Sequence, residues 1–160
     1  MSNPVALPDV EITICVDSRE QKPWVFNSPA VTATLSVGDY SIIGCSDWVC
    51  IERKSLSDLI MCLSQERNRF TRELQAGARI KEFLVIVEAK YSDILQGNYR
   101  SEMNPRAAWE SFLALQQRYS IPFYFAENRE IAAKLCESIL LRWWKEHLKI
   151  YHSVLRAATG

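Results

Sequence analysis

The sequence predicts an α/β fold with a central mixed β-sheet flanked by helices, in the order β-β-β-α-β-α-β-α. Three observations carry this. Short β-branched and apolar runs occupy the first third of the chain. Apolar residues recur at helical spacing in the segments that follow. Two buried-type strands, Phe83–Ala89 and Pro122–Ala126, each lead into a helical stretch, which is the pattern of parallel crossovers with helices on both faces.

Taken in order, Glu11–Asp17 reads as a strand ending on a carboxylate. Gln21–Pro29 is a loop from which Trp24 and Phe26 are expected to pack down. Val31–Val37 alternates apolar and polar, so it is read as a second strand, with Tyr40–Ile43 continuing it after the turn at Gly38. Gly44–Asp47 is a turn, and Trp48–Arg53 is a third strand, antiparallel to the second because the link is short. Ser55 can cap a helix, with Asp58 near its positive end. Leu56, Leu59, Ile60, Leu63, Phe70 and Leu74 carry that helix forward, with a break near Gln65–Asn68 and an end at Gly77. Lys90–Asn104 is read as a polar, mobile connection. Pro105 opens a helix to about Tyr119, and Asn128 caps a final helix running from Arg129 into the 150s.

The chain has 160 residues, enough for one domain with a sizeable core at about 11–141 and a helix to about 157. Net charge is zero, which argues against non-specific coating of nucleic acid. From Arg53 to Lys81, however, seven Lys/Arg face three Asp/Glu, a local excess able to hold a phosphate-bearing substrate. No apolar run approaches the ~18 residues of a membrane span. The first residues lack a secretory leader's basic and apolar regions, and five cysteines without CxxC spacing read as reduced, mostly buried thiols. The expected location is therefore intracellular, in cytoplasm or nucleoid (host cytoplasm if the chain is phage-encoded).

The chemistry is concentrated in Asp17, Asp39, Glu52 and Lys54. Glu52 and Lys54 lie at i and i+2 on one strand, so their side chains share a face, while Arg53 points the other way. If the three strands are neighbours, Asp39 converges on that face with Asp17 beside it. Such carboxylates hold a hard divalent cation, and magnesium (or manganese) suits them because magnesium keeps several waters for a substrate to share. No His/Cys set for zinc is present, and His147 and His152, five apart, share no helical face. By spacing alone, two readings stand: a metal site, or a strand end with solvated charges.

The full string is more specific. Gly38-Asp39 followed by Glu52-Arg53-Lys54-Ser55-Leu56-Ser57-Asp58 reproduces the GD…ERKx3D signature of the XPF (ERCC4-type) nuclease family, and Val16-Asp17-Ser18-Arg19-Glu20 resembles its VDxRE segment. The resemblance covers roughly residues 12–141. It implies a restriction-endonuclease-like fold and magnesium- or manganese-dependent cleavage of branched DNA (flaps, forks or junctions), in repair or recombination. Hydrolysis by a metal-activated water would leave a 5′-phosphate and a 3′-hydroxyl. Carried over by position, Asp39 and Glu52 would be metal ligands, Lys54 would act on water or phosphate, and Asp17 would bind the metal directly or through water. Glu20, Arg53 and Asp58 would support the site, with Glu88 second-shell or structural. An arginine on the following helix would face DNA, and the resemblance does not choose between Arg67 and Arg69.

The family's usual helix-hairpin-helix and helicase domains have no counterpart here, so the chain resembles the compact stand-alone versions found in phages and microbes. Two other readings remain at this level: a non-cutting DNA-binding module on the same fold, or a protein-interaction module acting through the aromatic-rich C-terminal helix. The tail beyond Trp143 is a candidate surface for a homodimer or protein partner. RNA is not excluded as a substrate, since acids and a lysine do not read the sugar.

Overall fold

A computed structural model describes residues 11–159. Residues 1–10, where the expectation of no secretory leader falls, lie outside the described residues, as does residue 160. The elements are β1 (Ile14–Asp17), β2 (Ala30–Ala33), β3 (Tyr40–Ile42), β4 (Val49–Ser55), α1 (Leu56–Leu63), α2 (Arg67–Gly77), β5 (Glu82–Glu88), α3 (Tyr91–Leu95), α4 (Pro105–Tyr119), β6 (Phe123–Phe125) and α5 (Arg129–Thr159). The six strands form one mixed sheet in the order β2-β1-β3-β4-β5-β6.

Two expectations about the front of the sheet are corrected. Tyr40–Ile42 is not a continuation of the second strand. It is a strand in its own right, antiparallel to both β1 and β4, and it occupies the centre of the sheet's front half. The expected strand Val31–Val37 shrinks to β2, an edge strand parallel to β1. It stops because Leu35 turns inward, 3% exposed, and its backbone N–H donates to the Asp17 carboxylate instead of to a neighbouring strand. The rear of the sheet is as expected: β4, β5 and β6 are parallel, with β4 and β5 in register from Val49↔Glu82 to Ser55↔Glu88.

The period-2 alternation divides the sheet's side chains between two cores. On the front face, Cys50, Val85, Val87 and Phe123 pack with Leu59, Phe70, Leu74, Phe112 and Leu115 from α1, α2 and α4. On the back face, Ile14, Val16, Ile51, Leu84 and Ile86 pack against Ala132, Cys136, Leu140 and Trp143 of α5, with Trp24 and Tyr40. Trp24 is 4% exposed although its loop has no regular structure, and Phe26 is half-buried beside it. Gly77 ends α2 flat against the Phe83 ring, where any Cβ would collide with the ring carbons, so α2 lies close over the start of β5.

The helix boundaries follow local chemistry. Ser55 Oγ accepts from Asp58 N–H at 3.1 Å and caps α1. Residues 64–66 separate α1 from α2, where a break is expected. Asn104 Oδ1 accepts from Arg106 and Ala107 N–H ahead of Pro105. Asn128 Oδ1 accepts from Ile131 N–H at 3.0 Å and starts α5. The connection expected to be structureless and mobile contains α3 instead. Asp93 there accepts the Lys90 N–H at 2.8 Å, and Ile94 is fully buried.

All five cysteines are free, four of them buried and Cys45 half-buried. Among the described residues no helix is long and apolar enough to cross a membrane. The first half of α5 lies on the sheet, whereas Ile150, Tyr151 and Val154 near its end are 58–59% exposed.

Candidate active site

The site is built where β1, β3 and β4 end together. Gly38 makes the entry possible: its φ is +77°, and a Cβ there would lie 3.2 Å from both Cys50 Cβ and Ile51 O. This turn brings Asp39 against β4, where its N–H donates to Ile51 O at 2.9 Å and its Oδ2 accepts from Arg53 N–H at 2.7 Å. Asp39 is thus hydrogen-bonded through both backbone and side chain to the strand that carries Glu52 and Lys54. Asp17 joins through the backbone, donating its N–H to Asp39 O at 2.8 Å.

Glu52 and Lys54 point to the front face, as their spacing predicts. Lys54 Nζ lies 2.6 Å from Glu52 Oε1, 3.5 Å from Glu73 Oε2 and 5.2 Å from the centre of the Phe70 ring. Burial and the nearby Glu52 charge push the Asp39 carboxyl up to about 7. Burial also raises Glu52, despite the opposing pull of Lys54. Burial disfavours the Lys54 charge, yet the Glu52 and Glu73 carboxylates outweigh it and hold the ammonium more firmly protonated than an ordinary lysine. The site therefore combines two carboxylates that resist sharing negative charge with one cation.

Asp17 lines the same cleft but is otherwise engaged. Its Oδ1 accepts from Arg19 N–H and Nε at 2.9 and 2.7 Å, and its Oδ2 from Arg19 Nη2 and Leu35 N–H at 3.1 and 2.7 Å. Burial alone would raise this carboxyl, but those bonds hold it below its ordinary value. Among the described residues no group of three or more His, Cys, Asp or Glu is arranged to hold an ion. Through these bonds Asp17 ties Arg19 and the 34–36 turn to the end of β1.

The donor set that remains fits a hard divalent cation. Asp39 Oδ1 and Glu52 Oε2 accept no hydrogen bond among the described residues. Magnesium is commonly held by one or two carboxylates, with waters and substrate phosphate oxygens completing the shell. A cation bound between them would also offset the burial that disfavours the charge of both carboxylates.

Behind the strand, Arg53 points to the back face as expected. It donates to Glu88 at 2.7 and 3.2 Å and to Glu20 at 3.2 Å. Asp58, expected to support the site, has no ion pair among the described residues. Its Oδ2 accepts from Ser55 Oγ at 2.7 Å, so it serves the start of α1 at the cleft edge.

The structure separates the two arginines. Arg69 lines the cleft on both sides of the carboxylates. It pairs with Glu66 at 2.8 Å and Glu73 at 3.3 Å. Arg67 points away, toward Ser111 Oγ at 3.3 Å. Sequence reasoning missed Glu73 and Arg72, which line the cleft beside Arg69. For Glu73 a signal was available, because Glu66, Arg69 and Glu73 are spaced i, i+3, i+7 and share one helical face. The cleft opens to about 380 Å³ on the Arg72 side and about 650 Å³ on the Asp58 side.

No curated protein matches the chain by sequence. Among solved structures, XPF from Aeropyrum pernix is similar at a TM-score of 0.65 and 24% identity, over 80% of this chain and 59% of that one. The same protein solved in complex with DNA is similar at 0.67 and 24%, over 85% of this chain and 66% of that one. At that identity the likeness establishes the fold, which is the expected XPF-like, restriction-endonuclease-like α/β class. The model of the ERCC4 domain matches residues 16–139. Since that span begins one residue before Asp17, takes in every strand after β1 and ends inside the sheet-packed part of α5, the chain belongs to the ERCC4 domain family.

Proposed function

We propose that this chain is a divalent-metal-dependent endonuclease that hydrolyses phosphodiester bonds in DNA, with a preference for branched substrates such as flaps, forks or junctions. The observation that carries the reading is the pairing of Asp39 and Glu52 at one cleft, each with a free carboxylate oxygen and both raised by burial, with Lys54 beside them. Asp39 and Glu52 would hold magnesium or manganese. The ion would supply positive charge at the scissile phosphate and acidify a water molecule.

The chain's own groups do the rest. Lys54, firmly protonated between two carboxylates, is suited to stabilising negative charge on the phosphate rather than to removing a proton. Arg69 lies at the carboxylates on a salt-bridged helix face, where a phosphate oxygen could take the place of Glu66 or Glu73. Asp17 keeps Arg19 at the cleft wall. The match to a protein solved with DNA supports nucleic acid as the partner. The exposed end of α5 supports contact with a second copy of the chain, testable by light scattering of the full chain against one cut after Trp143. The free cysteines support an intracellular setting.

The test is cleavage of single-stranded, duplex, flap, fork and four-way DNA with Mg²⁺ or Mn²⁺, comparing wild type with Asp39→Ala and Glu52→Ala. Cutting by wild type that stops with a chelator and in both variants is expected. Equal cutting by all three removes the proposal.

A further inference from the structure

Asp39 depends on the backbone on either side of it and on β4, and both are gripped from the back of the sheet by one side chain. Trp24 stacks on Tyr40, the residue after Asp39, with ring centres 4.7 Å apart and planes within 8°. Its backbone N–H donates to Tyr40 Oη at 2.9 Å. Its indole Nε1 donates to Glu88 Oε1 at 2.6 Å. Glu88 in turn holds Arg53, whose guanidinium lies 5.9 Å from the Trp24 ring centre and whose N–H donates to Asp39 Oδ2. The chain of contacts closes on itself, from Asp39 through Tyr40, Trp24, Glu88 and Arg53 back to Asp39.

The loop around Trp24 delivers it to the back core together with half-buried Phe26, whose ring meets Tyr40 edge-on at 5.5 Å. Val25 beside it is 89% exposed, while Trp24 is 4% exposed. Arg129, in the first turn of α5, donates through Nη2 to Lys22 O and Pro23 O at 2.8 and 2.9 Å and through Nη1 to Glu88 at 3.4 Å. The loop is therefore anchored to the helix that covers the back face. The partner that satisfies the buried indole N–H is the carboxylate that also holds Arg53, so the ring's placement is coupled to β4.

We propose that Trp24 is a positioning residue: it sets where Asp39 sits, and so how well the carboxylate pair takes up a divalent cation, from the opposite side of the sheet. This rests on the metal-nuclease reading. Outer contacts that orient metal ligands commonly change affinity or activity by about 10–100-fold.

The experiment compares the full-length chain with Trp24→Phe, which keeps an aromatic ring but loses the indole donor, and with Tyr40→Phe, which removes the hydroxyl that receives the Trp24 N–H. Each is assayed for Mn²⁺ affinity by titration calorimetry, for kcat and KM on cleaved DNA, and for Tm. Both variants are expected to fold, to bind Mn²⁺ about ten-fold more weakly and to lose kcat by a similar factor, with KM unchanged. A lower Tm with Mn²⁺ affinity and kcat within about two-fold of wild type would make Trp24 a packing residue and overturn the inference alone. If Trp24→Phe does not fold, Tyr40→Phe decides by the same criteria. A wild-type chain that neither binds Mn²⁺ nor cuts DNA overturns the nuclease reading first and the inference with it.

Discussion

Adjacent residues on β4 live in opposite electrostatic worlds. On the front, Glu52 shares a cleft with Asp39, and both carboxyls are raised: burial leads at each, with the Glu52 charge adding at Asp39 and the Glu73 and Glu20 charges adding at Glu52. On the back, Arg53 is fully occupied by Glu88 and Glu20, and Glu88 is lowered: burial opposes its charge, but bonds from Arg53 and Trp24 win. A one-residue step along a strand is enough to separate them, because alternate side chains leave the sheet on opposite sides. The back face spends its charges on one another and holds the strand. The front face leaves charge unbalanced, as the proposed binding of a cation and a phosphate would require.

This contrast can be broken from either side. The largest expected effect is on the front. Asp39→Asn or Glu52→Gln should lower cleavage by roughly 10²–10³-fold, a loss comparable to removal of one electrostatic stabilising group. Metal-free Asp39→Asn should be no less stable, since a crowded buried carboxylate is neutralised, whereas Glu52→Gln leaves buried Lys54 without its 2.6 Å partner and should be less stable. Cleavage rates and urea denaturation of the same preparations check both halves.

On the back, Arg53→Met leaves Glu88 and Glu20 buried without their shared partner. Breaking such a pair from one side costs about 3 kcal/mol. Urea denaturation should show the full loss even without metal, whereas Asp39→Asn should not.

The two faces should also answer pH with opposite signs. Asp39 has a raised carboxyl, so the native state binds its proton more tightly than the unfolded chain. Its contribution is present below about pH 4 and is lost as pH rises toward about 7. Glu88 is lowered, so its contribution is present at neutral pH and is lost as pH falls through and below the carboxylate range. Thermal melts of metal-free protein across this range should show a decline toward neutral pH that flattens in Asp39→Asn. A decline unchanged by that substitution would remove Asp39 as its source.

The smallest effect lies on α2. Arg69→Ala should weaken DNA binding and reduce the slope of log affinity against log salt by about 1, whereas Arg67→Ala should leave both unchanged. Fluorescence anisotropy without divalent metal measures this. Equal effects would mean that the cleft does not distinguish the two arginines.

Much of the site was legible from residue spacing. Glu52 and Lys54 had to share a face, and Arg53 had to oppose them. Gly38 before Asp39 marked a turn. The break between α1 and α2 was visible as well, but not the rotation it introduces. That rotation, set by how Phe70 and Leu74 enter the front core, decides that Arg69 faces the carboxylates and Arg67 faces Ser111. Tyr40–Ile42 was misjudged because three residues are too few to display a period. That Leu35 and Arg19 engage both Asp17 oxygens was not legible either, since nothing local reveals it.

The sequence by itself determined the α/β class, the parallel rear of the sheet, most helix boundaries and the identity of the acids and lysine. These depend on periodicity, capping and turn chemistry, which act over a few residues. Only the tertiary structure decided that β3 lies between β1 and β4, that Asp39 hangs on the backbone of β4, and that Trp24 stacks on Tyr40 behind it. Those outcomes depend on which distant segments become neighbours. Pairing of that kind is chosen by burial of the whole sheet between two helical layers, and no local stretch of the chain carries it.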